Sequence, residues 1–301
     1  MSLLVTGSIG IDTVEAPSGK VRNVLGGSCV YFAYAASFFS DVRLVGVVGD
    51  DCPKDFLKPL QKNRRIDLSG VEVRPGSKTF RWHGRYHQDV NRRDTVAVEL
   101  NVLAERGPTI PEKFRDSRYV FLANTHPALQ AEMLGQLKSP KLVVADTMDL
   151  WITTQRDALV GMLRRIDGVV LNDSEARLLT GEANLVAAGF QIAEMVRSFA
   201  VIKKGEHGSL LITGRRAYPL PSFPTVNVVD PTGAGDSFAG AMMGYLTAAD
   251  AIDPAALRRA IAYGTVTACF ALEGFSLNKF LTTARDDIDA RMSEFRELLG
   301  F

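Results

Sequence analysis

Apolar and polar positions along the chain fall into two kinds of short block. Leu3 to Thr6 is a compact apolar run that stops at Gly7, and "VRLVGVVGDD", "YVFLAN", "LVVADT" and "GVVLND" repeat the type. Helical patterns separate the later runs. Short, continuous, β-rich apolar runs alternating with helical segments predict buried parallel strands joined by helical crossovers. "GGSCVYFAYAASFF" opens on Gly26-Gly27 and continues as an apolar helix. "AVIKKGEHGSLLITG" and "AYPLPSFPTVNVV" predict later strands, and 236–301 reads as mainly helical.

The second kind of block alternates. From Val71 to Leu100, "TFRWHGRYHQDV" and "TVAVEL" place apolar and polar residues in turn, as half-exposed antiparallel strands do. Val14 to Leu25, with a Pro-Ser-Gly turn, predicts a hairpin lying away from the core. Together they predict one α/β domain over 1–301, with a mainly parallel central sheet and a small β-sheet lid formed by insertions at about 14–25 and 71–100. Open parallel sheets bind ligands beyond the carboxyl ends of their strands. Asp12, Gly26, Gly27, Asn124, Asp146, Asn172 and the turn from Asp230 to Asp236 are expected there.

Composition narrows the picture by exclusion. The 301 residues are 46% hydrophobic and 23% charged, as in ordinary globular proteins. Basic and acidic residues nearly balance, 35 against 34, with no long like-charge block, so no nucleic-acid surface is expected. Arg92-Arg93 reads as a solvated loop or part of a ligand lid. Cys29, Cys52 and Cys269 form neither a CxxC pair nor a zinc pattern and are expected as free thiols. "MSLLVTGSIGID" lacks the basic start and long apolar run of a signal peptide. No run approaches ~18 apolar residues, so no membrane partner and a cytoplasmic location are expected.

The chemistry concentrates in "VVDPTGAGDSFAG", Val228 to Gly240. Gly233-Ala234-Gly235 precedes a segment with helical spacing, so it predicts a helix N-terminus, whose free N–H groups attract anions. Asp236 falls in the first turn, where the helix dipole favours the ionised form. Two readings follow. Asp236 is a helix cap, or it is a carboxylate beside a phosphate-holding turn, accepting a proton from an attacking hydroxyl. Asn172 and Glu175, three apart in "NDSE", likewise suit either a capping segment or one shared face.

The longer string "DPTGAGDSFAGA" resembles the C-terminal signature of the PfkB, or ribokinase-like, carbohydrate kinases. Further pieces resemble that family in order: "GSIGID" with Asp12, the di-glycine "GGSCVYFAYAA", "VGVVGDD", "LNDSEARLLTG" and "VIKKGEHGSLL", spanning about residues 3 to 276. The resemblance implies a ribokinase-like three-layer α/β/α fold and ATP-dependent phosphoryl transfer to an alcohol. Asp236 is then the general base, and the N–H groups of Gly233, Ala234 and Gly235 form the anion hole. Asn172 and Glu175 support Mg²⁺ through its waters, and Lys203, Gly205 and Thr232 lie on the nucleotide side. Lys203 departs from the family's usual Thr; Lys204 and His207 read as solvated. Asp230, with Thr232, matches a monovalent-cation position, hence potassium, although the closing loop "ALEGFS" is unlike that of ribokinase. No Walker pattern GxxxxGK[ST] occurs, and no GxGxxG follows the first strand.

On the acceptor side, the resemblance makes Asp12 the hydroxyl-binding carboxylate, with Gly26 and Gly27 allowing close approach. Typical ribokinases carry Lys after the di-glycine and Asn three residues later; here Ser28 and Tyr31 stand instead, which counts against ribose. Asn124 and His126 end another strand, and Asp146 and Trp151 lie in a supporting segment. Phe80, Trp82 and Tyr86 can stack on a substrate ring, line the lid or meet a second copy; Arg81 and Arg85 can meet an acidic substrate or solvent. The expected substrate is a small sugar or polyol. The alternatives are a nucleoside, or a catalytically silent ligand-binding protein. A homodimer through the lid is plausible because open sheet edges seek partners.

Overall fold

A computed structural model describes residues 2–300. Nine strands build the large sheet: β1 (Ser2–Thr6), β4 (Asp41–Gly49), β5 (Ile66–Arg74), β8 (Tyr119–Leu122), β9 (Leu142–Asp146), β10 (Gly168–Asn172), β11 (Phe199–Lys203), β12 (Ser209–Thr213) and β13 (Arg216–Leu220). Their order is β13-β12-β11-β10-β9-β8-β1-β4-β5. All neighbours from β11 to β5 are parallel; β12 and β13 close one edge antiparallel.

The two-residue period of the strands divides the core. Leu3 and Val5 enter one apolar cluster and Leu4 the other; Tyr119 and Phe121 part from Val120 and Leu122 in the same way. Helices Ser28–Ser37, Ala234–Ala249, Pro254–Leu272 and Arg285–Leu299 cover the first face, and Pro127–Gly135, Arg156–Leu163, Asp173–Thr180 and Leu185–Met195 the second. The result is the expected three-layer α/β/α arrangement.

The lid is a second sheet of β2 (Gly10–Ala16), β3 (Gly19–Gly26), β6 (Phe80–Tyr86) and β7 (Arg93–Glu99), ordered β3-β2-β6-β7. Its bounds correct the sequence reading. Residues 71–74 belong to β5 of the large sheet, and the lid's second insertion starts at Phe80. The lid is also not wholly antiparallel, since β2 and β6 run parallel. The expected strand in "SFPTVNVV" is absent: after β13 the chain to Gly233 is irregular, and Val226 is almost fully exposed. Side-chain bonds dock lid to body, among them Arg81 to Asp51 (2.8 Å). Ser18 donates to the Val229 carbonyl, Ser276 to the Leu25 carbonyl, Asn91 to Glu206 (3.2 Å) and Thr232 to the Tyr86 hydroxyl (3.3 Å).

Candidate active site

The strand ends and the helix Ala234–Ala249 converge as the topology requires. Asp146, Asn172 and Lys203 are the last residues of β9, β10 and β11, and Asn124 lies just beyond β8. Gln130, buried on helix Pro127–Gly135, ties two of these ends together: its amide nitrogen donates to Leu122 O (2.8 Å) and Asp146 O (3.1 Å). Asp12 comes from the lid strand β2, and Gly26 is the last residue of β3, next to the N-cap Gly27 of helix Ser28–Ser37.

The Gly-rich turn forms as expected. Gly233 caps the helix in the left-handed region, φ 76°, where a side chain is strained, and a Cβ there would land on the Tyr31 ring. Its carbonyl accepts from Ser237 N at 2.8 Å. The anion hole needs one correction. The Ala234 N–H already donates to Pro231 O at 3.2 Å, whereas the Gly235 N–H finds no acceptor among the described residues. A Cβ on Gly235 would meet Lys203 Nζ at 2.7 Å, so the lysine cation lies at the mouth of this turn.

Asp236 stands in the first helical turn, but burial outweighs the dipole. Desolvation lifts its carboxyl from 3.8 to about 6, against the opposing pull of Lys203 and Arg93. At neutral pH it is mostly ionised and basic enough to take a proton. Asp12 goes further. Burial first, then the charges of Asp230 and Asp236, raise it to about 8. Its Oδ1 has no hydrogen-bond partner, and a Cβ on Gly26 would overlap its carboxylate. Asp146 is likewise raised by burial and by Asp236, with Oδ1 unpartnered.

Asn172 and Glu175 form a full capping box: Asn172 Oδ1 accepts from Glu175 N (2.8 Å) and Glu175 Oε2 from Asn172 N (2.7 Å). The box leaves Glu175 Oε1 available to a metal-bound water, so capping and metal support are compatible here. Burial raises Glu175 and Lys203 lowers it. Among the described residues no group of three His, Cys, Asp or Glu is placed to hold a metal alone. Asp230 is fully buried; its Oδ1 accepts from Thr232 N (2.8 Å) and its Oδ2 is orphaned. Gly205 takes φ 55° at the β11–β12 turn, beneath Asn91 of the lid.

Two expected contacts are otherwise engaged. Asn124 Oδ1 accepts from Trp151 Nε1 (2.9 Å) and its amide reaches Met148 Sδ (3.1 Å), so Asn124 orders Trp151 rather than presenting its amide to a substrate. Arg81 and Arg85 are paired with Asp51 (2.8 Å) and Glu15 (2.7 Å). Besides Asp12, the lid sends Arg93 towards the site. It faces Tyr86, Glu175 and Asp236 and lies 5.5 Å from the Trp82 ring centroid. Of the two readings the sequence left for Arg92-Arg93, a solvated loop or part of a ligand lid, the position of Arg93 fits the second. His126 and Trp151 pack ring to ring at 5.1 Å beside Asn124. The three thiols are free. No helix among the described residues is long and apolar enough to cross a membrane.

Comparison with known proteins places this geometry in a family context. The sequence model described as pfkB family carbohydrate kinase matches residues 4–284. The cytidine kinase of Thermococcus kodakarensis is 32% identical over 251 residues, 81% of this chain and 88% of that protein. Among solved structures, the nucleoside kinase of Burkholderia thailandensis in complex with inosine superposes with TM-score 0.79 at 19% identity, covering 97% of this chain and 98% of the other. The aminoimidazole riboside kinase of Salmonella enterica, solved with aminoimidazole riboside and an ATP analog, gives TM-score 0.79 at 19% identity over 97% and 100%.

Proposed function

The chain belongs to the pfkB family of carbohydrate kinases, and from that membership we propose that it transfers the γ-phosphoryl group of ATP to a hydroxyl of a nucleoside or a closely similar riboside. The observation that carries the reading is Asp236, half-buried and with its carboxyl raised to about 6, in the first turn of a helix that opens on a glycine turn. The acceptor class rests on the 32%-identical cytidine kinase and on the aromatic His126–Trp151 corner, which favour the nucleoside alternative over the simple sugar or polyol expected first from the sequence.

Asp12 accepts the donor hydrogens of the acceptor's sugar ring, and the lid excludes water as it closes. The acceptor hydroxyl oxygen attacks the γ-phosphorus while Asp236 takes its proton, and the bond from that phosphorus to the β-phosphate bridge oxygen breaks to leave ADP. The Gly233 and Gly235 amides and Lys203 Nζ stabilise charge on the transferring group. The residues suit Mg²⁺: the half-buried Glu175 and the buried Asp146 carboxylates both feel the Lys203 charge, and a magnesium ion held through its waters needs only one or two carboxylates. When bound, it supplies neutralisation of the nucleotide's phosphates. The orphaned Asp230 Oδ2 suits a monovalent cation such as potassium beside the turn.

The test is ADP release from Mg-ATP across nucleosides, pentoses, hexoses and inositols, with wild type and Asp236→Asn in parallel. Nucleoside-dependent release that falls by at least about 10³-fold in the variant, with ATP binding retained, is expected. Undiminished turnover in the variant removes Asp236 as the base. ATP binding with no active acceptor would favour a silent binding protein.

A further inference from the structure

We infer that Arg93 is a catalytic residue supplied by the lid: its guanidinium binds the γ-phosphoryl group in transit, opposite Lys203 of the body. The inference rests on the proposed transfer from ATP and names a group that completes its charge stabilisation.

Strand register fixes which way Arg93 points. β2 and β6 pair in parallel with Asp12 beside Trp82, so the lid face that carries Asp12 also carries Trp82, Gly84 and Tyr86. Between the antiparallel β6 and β7, Tyr86 lies opposite Arg93 and Gly84 opposite Thr95, which adds Arg93 to that face. The other face is paired off within the lid, Glu15 with His83 and Arg85, and Asp94 with His87.

The Asp12 face is built to hold the arginine. A Cβ on Gly84 would fall on the Trp82 ring, so the glycine lets the indole lie along the strand. The indole N–H donates to Thr95 Oγ1 at 3.3 Å, and the Arg93 guanidinium carbon stands 5.5 Å from the ring centroid. Tyr86, opposite Arg93, meets the glycine turn itself, because Thr232 donates to its hydroxyl at 3.3 Å. The strand pair thus carries Arg93 up to the turn that receives the phosphoryl group, and its side chain remains exposed.

The charges facing it say what it meets. Arg93 acts on Asp236 and Glu175 from the lid, as Lys203 does from the end of β11. Two cations therefore converge on the base and on the carboxylate that supports the metal. The proposed acceptor is neutral, so the anion delivered between them is the phosphoryl group. Its charge spreads over three oxygens in the transition state, and a planar guanidinium bonds two of them at once. Because this cation rides on the lid, the stabilisation is complete only when the lid is seated.

The variants are Arg93→Ala and Arg93→Lys, assayed with Mg-ATP and cytidine or inosine at a pH well above the Asp236 value of about 6. Arg93→Ala should lose about 10²–10³-fold in kcat, with a near-native melting temperature because the side chain is exposed. Its KM values for ATP and for acceptor should stay within about threefold of wild type. Arg93→Lys keeps the charge without the fork and should fall between wild type and Arg93→Ala. Added guanidinium ion should restore part of the Arg93→Ala rate, a response that a residue merely shaping the lid would not give. An Arg93→Ala kcat within about twofold of wild type, or a loss confined to acceptor KM, overturns the inference and leaves the kinase reading standing. So does a kcat loss that neither guanidinium ion nor Arg93→Lys reduces. Wild type that phosphorylates no nucleoside probe overturns both.

Discussion

Lys203 is the residue whose identity matters most beyond the glycine turn and Asp236. It replaces the Thr expected at the end of β11, and its charge acts on Asp146, Glu175 and Asp236 together. Its removal therefore has two separable effects. The cation holds the Asp236 carboxyl down against burial, to about 6. Without it the folded value rises, and the ionised base appears only at higher pH. For wild type, kcat/KM is expected to rise through about pH 6 and then level off. Lys203→Met should move that acid limb upward and raise the KM for ATP, because a cation at the mouth of the anion turn is lost. A pH–rate profile of the variant superimposing on wild type would show that Lys203 is a bystander. Much of this site was legible in the chain, since Asp12, Asp236 and the glycines sit in compact motifs. Arg93 was only half legible, because an arginine pair between two alternating segments reads equally as a solvated loop or as part of a lid. The commitment of Asn124 to Trp151 was not legible either, because it depends on two strand ends meeting in space.

At the level of elements, the turn before helix Ala234–Ala249 contains two glycines with different duties. Gly233 needs its positive φ and its closeness to Tyr31, so an alanine there strains the backbone and displaces a buried ring. Gly235 has ordinary helical geometry, and an alanine Cβ would meet only the mobile end of Lys203, at 2.7 Å. Gly235→Ala should therefore fold with a near-native melting temperature yet lose about 10²–10³-fold in kcat, because the methyl occupies the cradle of the transferring group. Gly233→Ala should lower the melting temperature as well. Thermal melts and steady-state rates on the pair separate the two duties, and equal destabilisation by both would contradict the assignment. The same scale explains which elements the sequence pattern revealed. Buried central strands such as β8 and β9 announce themselves as unbroken apolar runs. Edge strand β5 does not: its face alternates between buried and exposed, and that pattern made its end read as lid. The expected hairpin caught only the end of β2, because Gly10 to Thr13 read as a loop after the first strand. "SFPTVNVV" has strand-like composition, but Pro221 precedes it and Pro224 interrupts it.

Across the whole molecule, the site concentrates buried carboxylates, and this should show in stability. Asp12, Asp146, Glu175, Asp230 and Asp236 are all raised by burial. A carboxylate with a folded value above its unfolded value holds its proton longer in the native state. Between the two values the unfolded chain binds fewer protons, so stability is greatest below the unfolded value and declines as pH rises. For Asp236 the window runs from about 4 to about 6, and for Asp12 from about 4 to about 8. Ion-paired carboxylates at the surface act in the opposite direction but lower on the scale: Glu15, bonded by Lys20, Arg85 and His83, is drawn down to about 2. The Glu15 window closes at its unfolded value of 4.5, so above pH 5 the decline stays visible. The melting temperature of wild type should therefore fall between pH 5 and pH 8. Asp12→Asn removes the group with the widest of these two windows, so its curve should fall less steeply, and its advantage over wild type should grow towards pH 8. The same variant should lose acceptor affinity, because one of the two oxygens that face the acceptor is replaced by an amide nitrogen that only donates. Parallel melting curves for the two proteins would mean that Asp12 titrates like an exposed carboxylate, and that the native fold does not shield it.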